Sequence, residues 1–137
     1  MAANVLVDAG FLVALLSRRD SHHGWALSQA KRSLPPWGTC EAALSEAFHL
    51  LGTRGAPALS ALLRRGAVVV TFELPGNLEA VLKLMAKYAG VPASLADASL
   101  VRMTETLDTP TVLTTDTDFH FYRRHGRQMI PCAMPSR

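Results

Sequence analysis

Three short apolar runs constrain this chain most: NVLV at 4–7, AVVVTF at 67–72 and TVLT at 111–114. A run without polar alternation reads as a strand buried on both faces. The stretches between them are too long for hairpins and carry helical periodicity, so they read as crossover connections between parallel strands. Repetition of that unit implies an α/β fold, with a central parallel β-sheet of about five strands flanked by helices on both faces. The 137 residues make one domain the expectation, spanning 1–137. With 49% hydrophobic and 18% charged residues, a filled core is expected and intrinsic disorder is excluded.

The remaining elements follow from periodicity and punctuation. Helices are expected over 11–16, and over 23–31 with Asp20 and Ser21 as caps. Residues 37–40 read as a very short strand. A helix over 40–51 takes Thr39 as its N-cap and ends at Gly52, and Pro57 opens another over 58–65 that stops at Gly66. Leu78, Val81, Leu82, Met85 and Ala89 mark the buried stripe of a further helix, with Glu79 and Lys83 as an i,i+4 pair on its wet side. Residues 95–107 are expected as a helix and 129–132 as a last strand.

Several classes are set aside. The apolar stretch 9–16 falls far short of the ~20 residues needed to cross a bilayer, and no basic leader precedes it. Cys40 and Cys132 show no CxxC spacing and read as small buried hydrophobes of a reduced, cytoplasmic protein. A net charge of +3 permits a polyanionic partner without requiring one. The lysines, at 31, 83 and 87, are misplaced for a receiver domain. DAG after the first strand is not the Asp-x-Asp of a haloacid-dehalogenase phosphatase, and no P-loop is present.

Chemistry is expected beyond the carboxyl ends of the strands, where open parallel sheets bind ligands. Asp8 follows VLV and Asp116 follows VLTT, while Glu46 and Asp97 interrupt apolar helix sequence. Carboxylates in such surroundings are costly unless paired, protonated or bound to a cation, and oxygen ligands suit Mg²⁺ or Mn²⁺. Each acid also has a structural reading. Asp8 and Asp116 can cap the helices that follow, and Ser94 with Asp97 fits a capping box. Capping alone does not account for all four.

The segments VLVDAGFLVALL, ALSEAFHLL, SLADASLV and VLTTDTDF, in this order and spacing, resemble a PIN domain, the nuclease fold of many VapC-type toxins. The resemblance implies a metal-dependent endoribonuclease that hydrolyses single-stranded RNA to 5′-phosphate and 3′-hydroxyl ends. It assigns catalysis to Asp8, Glu46, Asp97 and Asp116, and Mg²⁺ or Mn²⁺ binding to Asp8, Asp97, Asp116 and Asp118. Thr114 matches a hydroxyl residue that supports the last acid. A small antitoxin partner and a homodimer are also implied. Glu41 competes for the glutamate role, but the two side chains point about 140° apart on one helix, and Glu41 in the first turn complements the dipole. Glu46 is preferred.

The family often carries Asn or Ser two residues after the first acid, where this chain has Gly10. That departure keeps open an alternative: a PIN-like module that binds RNA or a protein without cutting. Arg123 and Arg124, beside Phe121 and Tyr122, are the candidate RNA contacts. Arg18 and Arg19 leave the first helix where they could flank the same cleft. His22 and His23, adjacent on one helix, point apart and are read as capping rather than metal-binding; His49 and His120 are read as structural.

Overall fold

The computed structural model describes residues 3–136. Five strands form one parallel sheet: β1 (Val5–Val7), β2 (Trp37–Thr39), β3 (Val68–Val70), β4 (Thr111–Leu113) and β7 (Cys132–Ala133), in the order β3-β2-β1-β4-β7. Around it lie α1 (Ala9–Leu16), α2 (His23–Arg32), α3 (Glu41–Arg64), α4 (Leu78–Lys87) and α5 (Leu95–Glu105). The expected α/β architecture is present. β5 (Arg123–Arg124) and β6 (Gln128–Met129) form a separate antiparallel hairpin.

The strand order fixes where a ligand can bind. From β1 the chain steps outward through β2 to β3, then returns to β4 on the opposite side of β1. Connections on either side of the β1–β4 pair therefore diverge, leaving a crevice at the carboxyl ends of these two strands. Val7 pairs with Leu113, so Asp8 and Thr114 emerge side by side into it.

Both sheet faces are covered. Leu6 and Val112 pack with α4, α5 and the start of α3, whereas Val7 and Leu113 pack with α1, α2 and the body of α3. Successive strand residues thus feed opposite cores, which is why the strand sequences show no polar alternation. Phe11 meets the rings of Trp25 and Trp37 edge-on, at 6.0 and 5.5 Å between centroids, and fixes α1 over α2 and β2. Each such pair adds about 0.5–1.5 kcal/mol beyond area burial.

Five local expectations are corrected. The break expected at Gly52 is present as a left-handed residue (φ 66°) inside α3, but helix resumes directly after it, so Pro57 lies within the second segment instead of opening it. Cys40, not Thr39, is its N-cap, because Thr39 belongs to β2 and donates its hydroxyl to the Val7 carbonyl at 2.8 Å. On α4 the buried stripe is Val81, Leu84 and Tyr88, an i, i+3, i+7 line, and Leu78 and Leu82 are exposed. Glu79 and Lys83 do not pair; among the described residues Arg102–Glu105 is the one ion pair, at 3.4 Å. The last sheet strand lies at Cys132–Ala133, just beyond the hairpin formed with Gln128–Met129.

Candidate active site

Asp8, Glu46, Asp97 and Asp116 line one cleft of about 100 Å³, together with Ala9, Gly10, Ala96 and Leu100. Four elements bring them there. Asp8 ends β1 and caps α1, accepting from the Phe11 N–H at 2.8 Å. Asp116 follows β4 and caps a short 3-10 turn, accepting from the Asp118 N–H at 2.9 Å. Asp97 closes a capping box with Ser94 at the start of α5, through bonds of 3.2 and 3.0 Å. Glu46 faces the cleft from α3, five residues beyond Glu41, which lies outside it.

Capping and convergence on one cleft therefore coexist in Asp8, Asp97 and Asp116. Helices that follow strands in a parallel sheet start at one edge, so their caps converge there. Their positive dipole ends reduce the cost of gathering negative charge. Thr114, fully buried, joins two of the acids: its hydroxyl donates to Asp8 and accepts from the Asp116 N–H at 2.9 Å. Tyr122, one of the two aromatics beside the candidate RNA-contact arginines, is fully buried and donates its hydroxyl to Asp97 at 3.4 Å. Only its proximity to the acidic segment signalled such a role.

Among the described residues no basic side chain lines the cleft. Burial pushes the Asp8 carboxyl up to about 6, against the lowering bonds from Thr114 and Phe11, and the charges of Asp116 and Asp97 push it further. An all-oxygen set of four acids without a counter-cation suits a hard divalent ion. Among the described residues no three of these groups stand close enough to hold one ion as the side chains lie. Glu46 is exposed and Asp97 and Asp116 are half-buried, so the set has freedom to close. Asp118 does not line the cleft; it sits in the 3-10 turn and supports Asp116 through its backbone.

The space over Gly10 is bordered by two polar groups. A Cβ built there would stand 2.6 Å from the Thr115 hydroxyl and 3.5 Å from an Asp8 oxygen. Thr115 thus occupies the volume that a side chain at position 10 would take.

Arg124 is corrected from an RNA contact to a structural residue. It is buried, and its guanidinium donates to the Thr104 and Leu107 carbonyls at 2.5 and 2.6 Å, closing the C-terminal end of α5. Arg123 is half-buried, and one of its nitrogens turns back onto the carbonyls of His120, Phe121 and Tyr122. Phe121 alone of that aromatic pair is exposed. His23 contacts the Ala14 carbonyl at 2.8 Å, a structural role, and Asp20 accepts from the His22 N–H. Both cysteines are free; burial raises their thiols, Cys132 to about 11, which leaves them protonated and unreactive.

Strand order and cleft together define an α/β domain with acids gathered at its switch point, and the family match is specific. The PIN domain family model matches residues 5–124, so the chain belongs to the PIN domain family. Among solved structures it is similar to Mycobacterium tuberculosis VapC20, described as a sarcin–ricin loop cleaving toxin. The TM-score is 0.72 at 24% identity, covering 83% of this chain and 91% of that one. Comparison with curated proteins finds no significant match.

Proposed function

We propose that this chain is a metal-dependent endoribonuclease acting on single-stranded RNA, the toxin of a toxin–antitoxin pair. The observation that carries the proposal is the meeting of Asp8, Glu46, Asp97 and Asp116 in one cleft whose wall, among the described residues, holds no basic side chain. Membership of the PIN family and a fold shared with an RNA-cleaving toxin support it. Mg²⁺ or Mn²⁺ held by Asp8, Asp97 and Asp116 would supply Lewis-acid stabilisation of charge on the phosphoryl oxygens and activation of water. Thr114 keeps Asp8 and Asp116 in fixed relation, Tyr122 orients Asp97, and exposed Glu46 at the open side is placed to accept a proton. A small antitoxin over the acidic cleft, a homodimer and a cytoplasmic location belong to the same proposal. No helix among the described residues is long and apolar enough to cross a membrane.

The alternative, a PIN-like module without cutting activity, rests on Gly10. Thr115 fills the space that Gly10 leaves beside Asp8, so a hydroxyl is present there after all. The deciding assay is cleavage of end-labelled single-stranded RNA with Mg²⁺ or Mn²⁺, then with EDTA. Asp97→Asn keeps an oxygen for the capping box while removing the charge, and is expected to lower cleavage at least 100-fold with its melting temperature retained. Absence of cleavage, together with absence of any metal-induced rise in melting temperature, would overturn the proposal.

A further inference from the structure

A second cleft, of about 400 Å³, lies at the other end of the same seam. It is lined by Val13, Leu16, Leu50 and Leu51 and carries Arg18, Arg19 and Arg54. The acidic cleft takes Ala9 and Gly10 from the first turn of α1 and Glu46 from α3; this one takes Val13, Leu16 and Ser17 from later turns and Leu50 from the next turn of α3. These positions fall at i, i+3, i+4 and i+7 spacings, so the two clefts share one face of the α1–α3 pair. Gly10 and Val13 are three residues apart on α1 and Glu46 and Leu50 four apart on α3, so the nearest edges of the two linings stand about 4.5–6 Å apart along the seam at 1.5 Å per residue.

The arginines are exposed, and among the described residues none of the three is hydrogen-bonded or ion-paired. Three such cations beside aliphatic side chains, with no acid in the lining, form a site for a polyanion that also presents flat apolar surfaces.

Resting on the nuclease reading of the acidic cleft, we propose that Arg18, Arg19 and Arg54 hold the RNA backbone remote from the scissile bond, with the strand lying along the α1–α3 seam. That gap corresponds to roughly two stacked nucleotides at ~3.4 Å each, and the arginines lie beyond it, Arg18 past the end of α1 and Arg54 four residues past Leu50. Cations at this distance bind the strand without occupying the carboxylates. They also offset the repulsion that a phosphodiester meets on approaching four acids.

The test is binding, measured apart from cleavage. Fluorescence anisotropy of 5′-labelled single-stranded RNA in EDTA compares trimer and dodecamer for wild type, for an R18A/R54A variant and for a K31A/R65A control of equal charge. The expected result is a roughly tenfold affinity loss for the dodecamer in R18A/R54A alone, little change for the trimer, and a salt slope shallower by about 1.4 for two lost contacts. Equal dodecamer affinity in R18A/R54A and the control overturns the proposal. If a polyglutamate peptide then binds wild type but not R18A/R54A, the seam belongs to a protein partner. Because EDTA suppresses metal-dependent cutting, loss of binding stands even if the cleavage assay refutes the nuclease.

Discussion

At the scale of single residues, Asp8 carries the tension of the site. Its carboxyl titrates near 6 in the fold against 3.8 in the open chain, a difference of about 3 kcal/mol. The folded state holds a proton between those values that the unfolded state has lost. Stability therefore falls as pH rises across that window, and the cost is complete above about pH 6. Asp8→Asn retains a capping oxygen and removes the charge. It should melt several degrees above wild type at pH 7.5 without metal, an advantage that shrinks to nothing as melts are repeated down to pH 4. Gly10 invites a second measurement. A methyl there meets the Thr115 hydroxyl at 2.6 Å, so Gly10→Ala should cost about 1–3 kcal/mol and Thr115→Ala should relieve much of it. A double-mutant cycle by thermal melting reads that coupling, and strict additivity would remove Thr115 from the space over Gly10.

At the scale of elements, helix ends do two jobs. The starts of α1 and α5 place acids in the cleft, while the end of α5 is closed by an arginine from the hairpin. Arg124→Ala strips two charge-assisted bonds from partly buried carbonyls and should destabilise by about 2–4 kcal/mol in chemical denaturation. Arg124→Lys cannot span both carbonyls and should recover less than half of that. RNA affinity should be unaffected at temperatures where both variants remain folded. The hairpin itself was hidden in the sequence because its strands are two residues each and its turn is marked only by His125 and Gly126 at positive φ. Arginines followed by a glycine read equally well as a solvated, RNA-facing turn.

At the scale of the whole molecule, the two arms of the sheet and the two cores converge on the acidic crevice, so filling it should stabilise the entire domain. A divalent ion at 100 times its dissociation constant adds about 2.7 kcal/mol, or on the order of 10 °C at this size. Mg²⁺ and Mn²⁺ should raise the melting temperature, NaCl of matched ionic strength should not, and Asp116→Asn should abolish the rise. The sequence by itself determined the α/β class, the parallel sheet and the four acids, because strand burial, helix period and acids at strand ends are written in local composition. Only the tertiary structure decided which side chains face one another. It buried Arg124 and Tyr122, turned Glu46 rather than Glu41 into the cleft, set Thr115 over Gly10 and brought Arg54 into one cleft with Arg18. Those pairings join residues up to about a hundred positions apart, and the relative rotation of packed elements, on which they depend, leaves no periodic mark in the chain.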